Sequence, residues 1–493
     1  MPPQPARAES SGESDNGLER YVARRVVEEA CVTRPSGHRA GAVKVVVSDL
    51  HLSDGDPLRE TWGAAQQAAW GRLLSRLTCG DTSSDPVELI INGDCFDFLT
   101  VAPPLEDQDE TNSTVGLEKL ERIIAAHADW YARLYEFLQT HRRTVTFLLG
   151  NHDVELAFAP VRARVREALA APPASVRFCL RRAYRAAPDV EIEHGCQVDP
   201  WNRIVGLWDD NGDSVTASPR ELEAETAPSS DDPGALQLPF GSRYYYRVFA
   251  PIQRRFPYCE AFVPSLPEVG VLALVCLYAP DLIVSGAERS RALFANGLAP
   301  FGSEAELQAA ARRGAADLYL AVMPGVAALQ APVWERAGAV MNREEAERTV
   351  AYVAAIHAGL AQDERTALHA IFSVPQPNDA QSAALDAVAA AAMGGRSAAL
   401  RVALCGHTHV EDRRRYPVPH ASTIDLVNTG SWYPRLALPM PEALDENMIA
   451  WLRAPRTAPR ATRDAAAFTF ALLRAEPEQP TVVELHQVGR DGW

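Results

Sequence analysis

The chain has 493 residues, 47% of them hydrophobic and 23% charged. That composition excludes an intrinsically disordered or fibrous chain and leaves material for about three domains, or one large domain with insertions. Forty-eight Lys and Arg against 64 Asp and Glu give a formal net charge of −16, which argues against nonspecific duplex nucleic-acid binding but not against an anionic substrate at a metal site.

In chain order, residues 1–40 read as a mobile leader. Its first 16 residues are polar and lack the apolar stretch of a secretory signal. Short apolar runs rich in Val and Ile follow at 42–47, 87–91, 145–149, 190–192, 402–404 and 424–427, and each suits a buried strand. Residues 117–138 predict one helix, because Leu117, Leu120, Ile124, His127, Tyr131, Leu134 and Leu138 recur every three or four positions. From 206 to 395 the rhythm changes. A polar loop at 209–234 leads into an aromatic and arginine-rich segment, 240–262, and then into alanine-rich helices near 303–323, 343–361 and 379–393. This block reads as a helical insertion, or cap. Runs at 468–473 and 481–488 predict closing strands. Strands alternating with helices imply an α/β layered core, supplied by 41–205 and 396–493.

The longest apolar stretch, 269–279, is about half of a membrane-spanning helix. Eight cysteines without a CxxC pair make no disulfide framework. Together these features predict a soluble, reduced, cytoplasmic protein.

Five short segments carry the chemistry: Asp49-Leu50-His51; Asn92-Gly93-Asp94-Cys95-Phe96-Asp97; Gly150-Asn151-His152-Asp153; Glu193-His194-Gly195; and Gly406-His407-Thr408-His409. Each follows an apolar run directly, so its side chains are placed at the carboxyl ends of buried strands, where open α/β sheets gather their sites. Carboxylate, imidazole and amide donors without a thiolate suit Mn²⁺, Fe²⁺ or Zn²⁺. Asp49 and His51 are two apart, as are His407 and His409, so on extended backbone each pair leaves one face. Two cations about 3.5–4 Å apart need a bridging carboxylate, and Asp94 is the natural candidate. One such segment occurs by chance in many chains; all five in order are specific.

On these motifs, over about 200 residues, the chain resembles the calcineurin-like metallophosphoesterase family, whose pattern is DxH, GDxxD, GNH[DE], GH or HG, and GHxH. The resemblance implies a four-layer α/β/β/α sandwich with a large, mainly helical insertion. It implies two divalent metal ions (Mn, Fe or Zn), one held by Asp49, His51, Asp94 and His409, the other by Asp94, Asn151, His194 and His407. It makes His152 the catalytic residue facing the leaving group and Asp97 the acid that orients it. The implied activity is metal-dependent hydrolysis of a phosphoester or pyrophosphate bond, with hydroxide activated between the two ions and a helix after Asp153 lending its N-terminal dipole. The implied substrate is a phosphorylated small molecule or lipid headgroup. Two features depart from the pattern. The fourth motif runs His194-Gly195, similar to pyrophosphohydrolases acting on acylated UDP-glucosamine, and His194 lies 213 residues before His407. The rival readings are a phosphodiesterase or nuclease on nucleic acid or cyclic nucleotides, favoured by a continuous arginine track at the cap mouth, and a scaffold or partner-binding protein, favoured if the cap seals the metal site; a metal-free relative would be expected to have lost ligands.

Several residues carry milder readings. Cys95, Cys196 and Cys405 sit inside motifs but beside strand ligands, which points them to the opposite face as inert thiols. Asp153 reads as a helix cap. Asp199 and Asn202 read as a turn that braces His194 or as an ordinary Asp-Pro turn. The segment Tyr244, Tyr245, Tyr246, Arg247, Phe249, Arg254, Arg255, Phe256 and Tyr258 leaves four readings open: peripheral membrane contact through 240–262, base stacking, a substrate lid, or a helix packed on the main domain. His357 and His369 read as surface or packing residues.

Overall fold

A computed structural model describes residues 42–57, 59–80, 85–101, 109–199, 202–208, 234–255, 262–263, 399–417, 423–433, 436–437, 468–475 and 479–489, with the single positions 386, 389, 390 and 393. The leader, the helices expected near 303–323 and 343–361, most of that at 379–393, the apolar stretch 269–279, and Phe256, Tyr258, His357 and His369 lie outside the described residues.

The fold is mixed α/β. The strands are β1 (Ala42–Val47), β2 (Val87–Asn92), β3 (Arg143–Leu148), β4 (Val176–Cys179), β5 (Tyr184–Ala187), β6 (Val190–Ile192), β7 (Val402–Cys405), β8 (Glu411–Pro417), β9 (Thr423–Thr429), β10 (Thr469–Ala475) and β11 (Val482–Gln487). They form a six-stranded sheet, ordered β11-β10-β1-β2-β3-β4, and a five-stranded sheet, ordered β8-β9-β7-β6-β5. The strands that end at the motifs run parallel to their neighbours: β1 with β2, β2 with β3, and β6 with β7. Their carboxyl ends therefore lie on one side of each sheet.

Side-chain alternation decides the layers. In β1, Val45 and Val47 join the cluster holding Trp70, Leu73, Trp130 and Leu134, while Val46 joins Ile192, Leu404 and Val427 of the other sheet. Likewise in β2, Leu89 and Ile91 face the helices and Ile90 faces the second sheet. The helices on the first sheet are α1 (Ala64–Cys79), α2 (Ser113–Ala126), α3 (Ala128–Gln139) and α4 (Ala159–Leu169). On the far face of the second sheet, Ala403, Cys405 and Leu426 pack against Ala389, Ala390 and Met393.

The single helix expected over 117–138 is two. The chain breaks at His127 (φ −116°, ψ 36°), whose Nε2 sits 2.9 Å from both Ser53 O and Glu60 Oε2. A buried side chain tied to the loop after His51 overrides the periodicity. The described start of the insertion is stitched to the core: Leu236–Gln237 pairs antiparallel with Glu110–Thr111. Tyr246 is buried against Leu99 and Leu238, and its hydroxyl lies 3.0 Å from Lys119 Nζ. For this tyrosine the packed-helix reading holds.

Cys95, Cys179, Cys196 and Cys405 are free and buried, whereas Cys79, at the end of α1, is disulfide-bonded, contrary to the expectation of an all-thiol chain. Among the described residues, no helix is long and apolar enough to cross a membrane.

The helical layer is keyed by Trp70, which stacks on Trp130 at 5.4 Å and meets Trp62 and Trp432 edge-on. Trp70→Ala should cost about 3–5 kcal/mol, read as a lower denaturation midpoint. A loss below about 1 kcal/mol would contradict this packing.

Candidate metal centre

Each motif begins where its strand stops, and backbone hydrogen bonds sew the resulting loops together. Asp49 N–H donates to Gly93 O at 3.2 Å, His51 N–H to Asp94 O at 3.0 Å, and Asp97 N–H to Leu52 O at 2.8 Å. The side chains converge as the sequence predicts, but not by extended geometry. Asp49, His51, Asp94, His407 and His409 all have positive φ, between 50° and 67°. Left-handed backbone re-aims each side chain at the strand end, where an extended dipeptide would have left the sheet face. Such conformations cost roughly 1 kcal/mol or more per residue and persist where the surroundings over-determine them.

Three overlapping groups result: Asp49, His51 and His409; His51, Asp94 and His152; and Asp94, His194 and His407. Within each, the candidate ligand atoms lie within 4.8 Å of one another. Nε2 of His409 is 3.1 Å from His51 Nε2 and 3.2 Å from Asp49 Oδ1. Asp94 Oδ2 is 3.1 Å from His194 Nε2 and 3.9 Å from His51 Nε2. Adjacent ligands on one cation, each about 2.0–2.2 Å from it, lie roughly 3 Å apart, so these spacings fit. Two buried atoms sharpen the fit. Among the described residues, Asn151 Oδ1 has no hydrogen-bond partner, and His194 Nε2 makes no aligned hydrogen bond although its Nδ1 is held by Asn92 O at 2.9 Å. Buried polar atoms without a partner call for an explanation, and cation ligation supplies one. These buried Asp and His groups could hold metal ions.

Close approach enforces two glycines. A Cβ at Gly150 would lie 2.1 Å from Asp94 Oδ1, and one at Gly406 would lie 2.4 Å from Asp49 Oδ2.

The electrostatics suit cations. Burial alone would raise the Asp94 carboxyl, but His194, His152 and His51 outweigh it and hold it well below the ordinary carboxylate range. For Asp97 the order is the same: burial is overcome by His152 and by hydrogen bonds from His152 and His51, and the group stays low. His194 is pushed up to about 9, burial opposing and Asp94 prevailing. A cation bound there must displace that proton. The thiols of Cys95, Cys196 and Cys405 are raised by burial, and none joins a cluster among the described residues.

His152 N–H donates to Asp94 Oδ1 at 2.9 Å, and its Nδ1 lies 3.0 Å from Asp97 Oδ1. Asp97 also reaches His51, with Oδ2 3.4 Å from Nδ1, a contact the motif did not foretell. The side chains of His152 and His409 are 24% and 30% exposed, against 2% for His51 and His194, so the cluster opens to solvent on their side.

Asp153 does not cap a helix. Its carboxylate accepts the N–H groups of Gly150 and Cys95 at 2.7 and 2.8 Å, clamping two motif loops together; burial and then Asp94 raise it to about 7. Only a 3-10 turn, Val154–Ala157, follows it, and α4 starts beyond, at Ala159, so the expected helix does not begin at the motif. The Asp-Pro turn braces His407 rather than His194: Asp199 Oδ2 is 3.1 Å from His407 Nε2 and accepts from Asn202 Nδ2 at 2.8 Å.

Residues 428–433 went unread in the sequence. Trp432 N–H and Ser431 Oγ donate to Asp49 O at 3.1 and 3.2 Å. Asn428 Nδ2 donates to Gly406 O at 3.0 Å, and the Tyr433 ring lies 5.2 and 5.7 Å from the His51 and His409 rings. The signal was there: a polar Asn-Thr-Gly-Ser sequence directly after the apolar run 424–427.

No family model, curated protein or solved structure matches the chain.

Two variants probe the site directly. Gly150→Ala should lose bound Mn²⁺ while keeping its far-ultraviolet circular dichroism, and full retention by elemental analysis would refute the close approach. Asp199→Ala should weaken Mn²⁺ binding about 10–100-fold, the usual worth of a residue that orients a ligand, with Asp199→Asn falling between. Unchanged calorimetric affinity would make the turn a bystander.

Proposed function

We propose that the chain is a metal-dependent phosphohydrolase of the calcineurin-like kind, with a four-layer α/β/β/α core, that cleaves a phosphoester or pyrophosphate bond. The observation that carries this reading is the chaining of the three ligand groups, with Asp94 in two of them and His51 in two. A buried carboxylate between neighbouring ligand sets is what a pair of cations requires.

In this reading Asp49, His51, Asp94 and His409 hold one divalent ion, and Asp94, Asn151, His194 and His407 hold the other. When bound, such a pair supplies Lewis acidity toward phosphoryl oxygens and a water acidified to near neutral pH. The protein's own groups do the rest. His194 keeps Nε2 free for ligation because Nδ1 is engaged by the Asn92 carbonyl. Asp97, beside His152 Nδ1, fixes the orientation of the ring. His152 is part-exposed beside buried ligands, which supports the reading that it protonates or stabilises the departing oxygen.

The donor set is all nitrogen and oxygen, which favours Mn²⁺, Fe²⁺ or Zn²⁺. The substrate class is a phosphorylated small molecule or lipid headgroup; phosphodiesterase or nuclease action and a non-catalytic scaffold are the alternative outcomes of the test.

That test is turnover with Mn²⁺ against nitrophenyl phosphate, bis-nitrophenyl phosphate, nucleoside diphosphate sugars and single-stranded nucleic acid. His152→Ala should cut kcat about 10²–10⁴-fold on the substrate turned over while retaining metal, with a smaller loss for a leaving group that needs no proton. Metal loading without turnover of any of the four would favour the scaffold.

A further inference from the structure

Arg243 lies in a short helix, α5 (Phe240–Tyr244), within the aromatic and arginine-rich segment. Its side chain is fully buried, and its neighbour Ser242 is 1% exposed. Among the described residues, none of the three guanidinium nitrogens of Arg243 has a hydrogen-bond partner, and neither does Ser242 Oγ. Among the described residues its one aromatic contact is a distant one, the guanidinium carbon standing 5.8 Å from the Phe240 ring centre.

The nearest charges do not resolve this. Asp109 acts on Arg243, but its Oδ1 is 2.7 Å from Arg247 Nη2. Among the described residues, the charges that act on Arg243 are this shared carboxylate and the like charge of Arg247. Burial disfavours the charged guanidinium and lowers its pKa, yet arginine does not give up its proton in proteins. A buried charge is kept in a fold when something pairs with it. Water would satisfy some of the donors but none of the charge.

We propose that Arg243 and Ser242 form a buried anion site that takes a phosphate group. Five guanidinium N–H donors in a planar fork, with a hydroxyl beside them, match the acceptor-rich, tetrahedral phosphate better than a carboxylate with two oxygens. The site is tied to the candidate metal centre. Tyr246, three residues on, hydrogen-bonds Lys119, and Lys119 Nζ donates to Phe98 O at 2.8 Å, next in sequence to Asp97. A ligand reaching both places carries a second anionic group besides the one at the metals. The phosphate site itself needs no cation, so it stands or falls separately from the hydrolase reading.

Metal-free, EDTA-treated full-length protein is titrated with inorganic phosphate, with sodium acetate and sodium chloride at matched ionic strength as controls. The wild type should show a phosphate-dependent rise in Tm, with a much smaller rise in acetate or chloride. Arg243→Met should lose the phosphate response. Without phosphate its Tm should equal or exceed that of the wild type, since it removes an unpaired buried charge; a purely structural arginine would instead lower it. Ser242→Ala should weaken phosphate about two- to tenfold, the worth of one hydrogen bond, and carries the test should Arg243→Met fail to fold. A wild type indifferent to phosphate, equal responses to phosphate and acetate, or unchanged phosphate affinity in both variants would overturn the site.

Discussion

The structure turns on backbone strain at five positions. Asp49, His51, Asp94, His407 and His409 occupy the left-handed region, where a side chain with a Cβ is disfavoured. Among the described non-glycine residues only Arg142 and Ala170 also have positive φ outside the cluster. The strain is held by the parallel strand ends, by the backbone hydrogen bonds from the 49–52 loop to the 93–95 loop, and by Asp153 clamping Gly150 to Cys95. Its effect is to bring buried carboxylates and imidazoles to within about 3 Å of each other, an arrangement that water does not stabilise and cations do. Strained, over-determined residues cluster at functional sites for this reason.

Much of this was legible in the sequence. Val45, Val46 and Val47 read as a buried strand because they are apolar on both faces, and the structure puts the helices on one face and the second sheet on the other. The motif residues were legible because their chemistry is odd for strand ends. Their backbone was not: the period-two argument for Asp49 and His51 reached the right neighbours through the wrong geometry, since a single φ reversal leaves no trace in composition. The break at His127 was hidden because His127 fits the helical spacing on either side. Only its partners, Ser53 and Glu60, betray the bend, and those lie far away in sequence.

The supporting residues were least legible. Asp199 reads in the sequence as a brace for nearby His194 or as part of an ordinary turn, whereas the chain folds back to present it to His407, 208 positions on. Residues 428–433 drew no notice because Asn, Thr, Gly and Ser after a strand are ordinary turn residues. Their role lies in what the turn touches. The insertion divides similarly: Tyr246 is a packing residue on Lys119 and Leu99, while Arg243 is marked out by its burial without a hydrogen-bond partner among the described residues.

In the proposed function Asp94 stands between two cations. Crystals grown with Mn²⁺ and measured at the manganese absorption edge test it most directly. Two anomalous peaks about 3.5–4 Å apart, flanking the Asp94 carboxylate, are the predicted result. A single peak, or peaks away from Asp94, would contradict the account.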